Sequence, residues 1–178
     1  LDALRDWTMR EHARIAAAIA ARRAAGRVRE CHGDLHLGNL VMLDGRATPF
    51  DCIEFNASLR WIDVMSELAF LVMDLVDHGE RAAAHRVLDG YLSATGDYDG
   101  LAVLPFHLVY RAMVRAKIAC MRAHQPGLDL HGRTRADAQY HAYLRLAREL
   151  AALRRPVLAL MHGLSGSGKS RAALALVE

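Results

Sequence analysis

Residues 63–77 are the most strongly apolar part of the chain, and they constrain its fold more than any other segment. A helix that is apolar nearly all round must be enclosed by other elements. Residues 3–25, 79–94, 102–124 and 133–154 repeat apolar side chains at helical spacing and predict four further helices. The apolar side chains of the central segment include Val64, Met65, Leu68, Ala69, Leu71, Val72 and Leu75. We therefore expect a mainly helical fold built around residues 63–77.

Predicted β-structure is limited to short segments. Gly26 ends the first helix, and residues 27–31 are predicted to form a strand. Asp44-Gly45 between residues 40–43 and 48–51 predicts a tight hairpin, because Asp-Gly suits a two-residue turn. An irregular loop is expected before residue 63. The fold class is then mainly α with a small β-hairpin, an α+β arrangement.

Composition excludes several classes of partner. The 178 residues are 53% hydrophobic and 24% charged with a net charge of +3, and no run of five like charges occurs. We therefore expect no nucleic-acid partner and no membrane partner. Three cysteines without a motif favour a reduced, cytoplasmic setting over a disulfide framework.

The segment 32–39 carries the first chemical motif, His-Gly-Asp-Leu-His-Leu-Gly-Asn. Phosphoryl transfer needs a carboxylate to accept the proton of the acceptor hydroxyl, and oxygen ligands to hold Mg²⁺. Asp34 and Asn39 have the spacing of such a pair, and Asp51 follows at the end of the predicted hairpin. An isolated Asp or Asn is usually a turn residue, so the joint spacing carries this hypothesis.

This motif resembles the catalytic core of the aminoglycoside phosphotransferase and choline kinase group, over roughly residues 1–150. The resemblance implies a protein-kinase-like C-terminal lobe with ATP and Mg²⁺ as cofactors. Asp34 would be the catalytic base and Asn39 and Asp51 the metal ligands. His32 would complete the catalytic motif by holding its loop, and Glu54 would assist the metal or bind substrate.

The same resemblance implies two supporting residues. Asp63 would tether the catalytic loop through the loop backbone, and His36 would shape the loop. A zinc site formed by Cys31, His32, His36 and Cys52 is the alternative, although their spacing fits no zinc motif. The acceptor pocket would be built by residues 79–154. Four residues there share a helical face that would either line the pocket or, as the alternative, form a half-buried packing face: His107, Tyr110, Arg111 and Arg115.

Residues 163–170 carry a second motif, Gly-Leu-Ser-Gly-Ser-Gly-Lys-Ser, after an apolar segment at 157–161 that predicts a strand. This is the P-loop pattern, in which backbone N–H groups and a lysine surround phosphates. The expected nucleotide-binding residues are Gly163, Gly166, Gly168, Lys169 and Ser170. The string resembles small-metabolite kinases of the adenylylsulfate and gluconate kinase type.

Two domains are therefore predicted: residues 1–155, a kinase-like C-terminal lobe without its N-terminal lobe, and residues 156–178, a truncated P-loop strand, loop and helix. We expect a segment of a longer bacterial phosphotransferase that acts on a small-molecule hydroxyl. An alternative gives the activity to the P-loop domain and makes the kinase-like part a regulatory or non-catalytic binding module. The unpaired strand 157–161 would be able to pair with another chain.

Overall fold

A computed structural model describes residues 1–152 and 162–177. Three single 3₁₀ turns, Leu37–Asn39, Ala57–Leu59 and Tyr98–Ala102, separate the longer elements. The helices and strands are α1 (Asp2–Ala24), β1 (Val28–Glu30), β2 (Leu40–Leu43), β3 (Arg46–Pro49), β4 (Trp61–Asp63), α2 (Val64–Asp77), α3 (Arg81–Thr95), α4 (Leu104–Ala123), α5 (Leu130–Ala151) and α6 (Lys169–Val177). The architecture is mostly helical with small antiparallel sheets, as expected from the sequence.

Helix α2 is the centre of the core. It packs against α3 and α4, and α4 packs along α5. Met65, Phe70 and Met73 on α2 are almost completely buried. Buried residues cover most of the surface of this helix, which confirms the prediction that it is enclosed nearly all round.

A buried ionic cluster fixes the start of α2. The Asp63 carboxylate caps the helix by accepting a hydrogen bond from the Met65 N–H at 2.8 Å. The same carboxylate receives two hydrogen bonds from Arg22 on α1, at 2.7 and 2.8 Å. Arg22 also donates to both carboxylate oxygens of Asp97, at 2.7 and 2.9 Å. This cluster joins α1, the start of α2 and the segment after α3.

The strands differ from the prediction in two ways. The β2–β3 hairpin pairs Leu43 directly with Arg46, because Asp44 and Gly45 both have positive φ and form a two-residue turn that leaves no spacer. The second strand is therefore Arg46–Pro49 and not 48–51. Residues expected to form an irregular loop include β4, which pairs antiparallel with β1.

The helix boundaries agree closely with the sequence pattern. Helix α5 begins at Leu130, three residues earlier than predicted, because the Asp129 side chain accepts the Gly132 N–H at 2.8 Å and caps it. Helix α6 begins at Lys169 as predicted, whereas the predicted strand 157–161 lies outside the described residues. No helix within the described ranges is both long and apolar enough to cross a membrane.

Candidate active site

Three hydrogen bonds hold the segment around Asp51 against the loop 32–39. The Phe50 N–H donates to the Asn39 carbonyl at 3.0 Å, and the Ile53 N–H donates to the His32 carbonyl at 3.1 Å. The His32 ring donates through Nε2 to the Phe50 carbonyl at 2.8 Å. Asp51 lies between these anchors with an exposed side chain. The structure thus brings the end of the hairpin to the predicted catalytic loop, with His32 as one of the links.

Asp34 is held by its neighbours in the loop. The Asn39 side-chain amide donates to the Asp34 carbonyl at 2.9 Å and to its carboxylate oxygen Oδ2 at 3.1 Å. His36 Nδ1 accepts the Gly38 N–H at 3.0 Å, so a neutral ring carries its proton on Nε2, which lies 3.4 Å from Asp34 Oδ2. The His36 hydrogen bond lowers the pKa of Asp34, opposed by partial burial. Asp34 is therefore a fixed carboxylate at neutral pH.

The candidate metal ligands are oxygen atoms. Asn39 uses its amide nitrogen on Asp34, which leaves the amide oxygen Oδ1 for a cation. Asp51 offers an exposed carboxylate on a backbone with φ of 59°, a left-handed conformation that Asp tolerates better than most residues. Glu54, three residues after Asp51, is also exposed. Such hard oxygen donors fit Mg²⁺.

Two residues outside the predicted motif anchor Gly33, which precedes Asp34. The sequence analysis missed Glu67 and gave Arg111 a different role, in the acceptor pocket. Glu67 on α2 accepts the Gly33 N–H at 2.9 Å, and Arg111 on α4 donates to the Gly33 carbonyl at 3.2 Å. Gly33 has φ of 86°, and a Cβ there would lie 2.9 Å from the Leu59 carbonyl oxygen. Only glycine fits this position without a shift of the backbone. The loop 32–39 is therefore held at Gly33 from both sides by buried charged groups.

A second carboxylate of α2 holds the other end of the loop. Asp74 Oδ2 accepts the Leu37 N–H at 2.8 Å, and this side chain is almost fully buried. Glu67 and Asp74 are seven residues apart, so they lie on the same face of the helix. The expectation that Asp63 tethers the loop is wrong in its mechanism, because Asp63 binds Arg22 and the Met65 N–H instead.

Asp34 opens onto a cleft of about 410 Å³ between the loop and α4. Tyr110, Arg111 and Arg115 line this cleft, as expected for three of the four α4 residues. His107 lies instead in a neighbouring cleft beside Asp63. The volume is in the range of small-molecule sites.

The first alternative site is the zinc site of cysteines and histidines. Within the described residues, the three-residue group whose ligand atoms lie close enough to hold a metal is Asp74, Asp77 and His78. The cysteine and histidine set proposed for zinc does not assemble there.

In the P-loop segment, Gly163, Gly166 and Gly168 have positive φ. Lys169 Nζ donates to the Gly163 carbonyl at 2.7 Å and also to the Leu164 carbonyl, while Ser170 is exposed. Nucleotide binding by this segment stays a prediction.

Comparison with known proteins agrees with the first motif. The model of the phosphotransferase enzyme family matches residues 1–104, which include the whole loop 32–39 and Asp51. The chain belongs to this family. Family membership supports phosphotransferase chemistry in general terms and leaves the acceptor undefined.

Curated relatives extend further along the chain. An uncharacterized protein of Mycobacterium tuberculosis, Rv2004c, and one of Mycobacterium bovis, Mb2027c, are each 35% identical over 159 residues. The alignment covers 86% of this chain and 31% of each relative, so the chain spans about a third of their length. No solved structure matches the chain.

Proposed function

We propose that the chain carries the catalytic part of an ATP- and Mg²⁺-dependent kinase that phosphorylates a hydroxyl group of a small molecule. The observation that carries the proposal is the position of Asp34. It is an ionised carboxylate, held by Asn39 and His36, at the wall of a cleft of small-molecule size. A hydroxyl bound in the cleft would meet a base that is already oriented to accept its proton.

Asn39 and Asp51 would hold the metal ion. When bound, Mg²⁺ would neutralise the phosphates of ATP and orient the terminal phosphoryl group. The protein's own residues position the base. Glu67 and Arg111 fix Gly33, and Gly33 in turn fixes the backbone of Asp34. Glu54 is exposed in the following loop and would contact the metal or the acceptor.

A second candidate places the chemistry at the P-loop. The glycine φ values, the start of α6 at Lys169 and the lysine hydrogen bonds to loop carbonyls favour a phosphate-binding turn in residues 163–170. In that case the kinase-like part would act as a regulatory or binding module.

Two substitutions in the full-length protein separate the candidates. Asp34→Asn keeps the side-chain volume and removes the base, while Lys169→Ala removes the P-loop cation. The assay is ADP release that depends on an added hydroxyl compound. The proposal predicts that Asp34→Asn lowers kcat by about 100-fold or more, within the range expected for loss of a general base, and that Lys169→Ala leaves it largely unchanged. The opposite result would assign the activity to the P-loop.

A further inference from the structure

Arg115 on α4 is a partly buried cation that makes no carboxylate contact within 4.0 Å among the described residues, although Asp34 and Asp77 lie near enough to interact with it electrostatically. Its Nε donates to the hydroxyl of Tyr143 at 3.2 Å, and its guanidinium lies 5.4 Å from the centre of the Tyr143 ring. Its Nη1 lies 3.5 Å from His36 Nε2, but that nitrogen carries the ring proton and cannot accept. Among the described residues, no carboxylate oxygen lies within 4.0 Å of Arg115.

The other cation of the cleft is in a different situation. Arg111 is buried, donates to the carbonyls of Gly33 and Ser66, and stacks over the ring of Phe70. Burial lowers the pKa of Arg111, and the nearby carboxylate of Glu67, which holds the other side of Gly33, opposes this. The terminal N–H groups of Arg115, by contrast, have no protein acceptor in the described part of the chain. Through the hydrogen bond from Nε, Tyr143 holds the Arg115 guanidinium at the wall of the cleft that contains Asp34.

The rest of the cleft wall is short of negative charge. Asp34 is the only carboxylate among its lining residues, and the remaining wall is largely apolar, with Ile53, Phe55 and Ile118 among its members. Among these lining residues, a cationic acceptor would find no carboxylate except the base itself. An anionic acceptor would find a preoriented guanidinium, which binds carboxylate or phosphate in a bidentate manner.

We propose that Arg115 selects an acceptor that carries an anionic group, a carboxylate or a phosphate, beside the reacting hydroxyl, with an apolar body against the cleft wall. This inference rests on the proposed function for the identity of the reacting hydroxyl. Arg115 would bind the anion, Asp34 would face the hydroxyl, and the apolar wall would hold the remainder of the molecule.

Four probes with the same benzyl group test the charge preference in the full-length protein. They are 3-phenyllactate, the phosphate monoester of 3-phenylpropane-1,2-diol, the neutral diol itself, and the cationic 2-amino-3-phenylpropan-1-ol. We expect at least one of the two anionic probes to bind about 10- to 100-fold more tightly than the diol. This is the gain expected from one charge-assisted hydrogen bond. The comparison of carboxylate with phosphate identifies the source of the anion.

Arg115→Gln tests the residue directly, with Arg115→Lys as the charge-retaining control. We expect Arg115→Gln to raise the Kd and KM of the preferred anionic probe to those of the diol, and Arg115→Lys to recover part of the difference. Equal or tighter binding of the amine, or a loss of kcat with every probe, would overturn the proposal. If Arg115→Gln does not fold, the order of the four probes in the wild type decides.

Binding and transfer are measured separately, so the two proposals fail separately. Anion binding that depends on Arg115, without phosphoryl transfer and without an effect of Asp34→Asn, would overturn the proposed function and support the anion site. Transfer that prefers the diol or the amine would support the proposed function and overturn the anion site.

Discussion

Removal of the Glu67 side chain is expected to damage both folding and catalysis. Glu67→Ala removes the carboxylate that accepts the Gly33 N–H at 2.9 Å, and it removes a negative charge near the buried Arg111. A hydrogen bond to a charged group contributes about 1.5–3 kcal/mol.

Glu67 also destabilises the native state in one respect. Burial raises the pKa of its carboxyl group, and its oxygen Oε1 has no hydrogen-bond partner. This cost offsets part of the gain, so we expect a net loss of about 1–2 kcal/mol in the free energy of unfolding. A displacement of Asp34 by about 1 Å would lower kcat on the order of 100-fold.

Urea denaturation and the hydroxyl-dependent ADP-release assay measure the two effects. Glu67→Gln is the matched control, because its amide oxygen still accepts the Gly33 N–H while the negative charge is lost. It should retain more activity than Glu67→Ala. If Glu67→Ala leaves both the denaturation midpoint and kcat unchanged, the clamp on Gly33 has no role in positioning Asp34.

Three predictions concern buried ionisable residues on α1, on α4 and in the segment after α3. Arg22→Met leaves the carboxylates of Asp63 and Asp97 without their cation, so urea denaturation should show a loss of about 3–5 kcal/mol; an unchanged midpoint would contradict this. The Arg22 hydrogen bond lowers the pKa of Asp97 in the folded protein. The ionised Asp97 carboxylate therefore stabilises the fold above its unfolded pKa, and this stability should be lost as the pH falls through its folded pKa. Asp97→Asn should reduce this acid dependence. Burial lowers the pKa of His107 to about 4, so NMR should show a ring that is neutral at pH 7. The free energy of unfolding should fall as the pH drops from about 6.5, the ordinary pKa of histidine, toward the folded pKa. An NMR titration midpoint near 6.5 would contradict this.

The catalytic loop was predictable because its chemistry is local in sequence. Asp34 and Asn39 lie within one eight-residue motif, and their contact is a direct consequence of a loop that closes on itself. Helix α2 was predictable because its apolar surface leaves no exposed face. The resemblance to a known family then supplied roles that spacing alone would not assign.

The anchors of the loop were not predictable in this way. Glu67, Asp74 and Arg111 lie 30 or more residues from the groups that they bind. Two carboxylates seven residues apart on a buried helix are nevertheless a signal of buried polar partners. Strand β4 has three residues and no turn signal, and its pairing with β1 depends on contacts distant in sequence.

Calorimetry of ATP binding in the presence and absence of Mg²⁺ tests the central claim most directly. Asp51→Asn removes the charge of the proposed metal ligand and retains a residue that tolerates the left-handed backbone at this position; Lys169→Ala is the comparison. The account predicts Mg²⁺-dependent binding that Asp51→Asn abolishes and Lys169→Ala retains. Binding that is lost with Lys169→Ala and retained with Asp51→Asn would contradict the account and place the nucleotide at the P-loop.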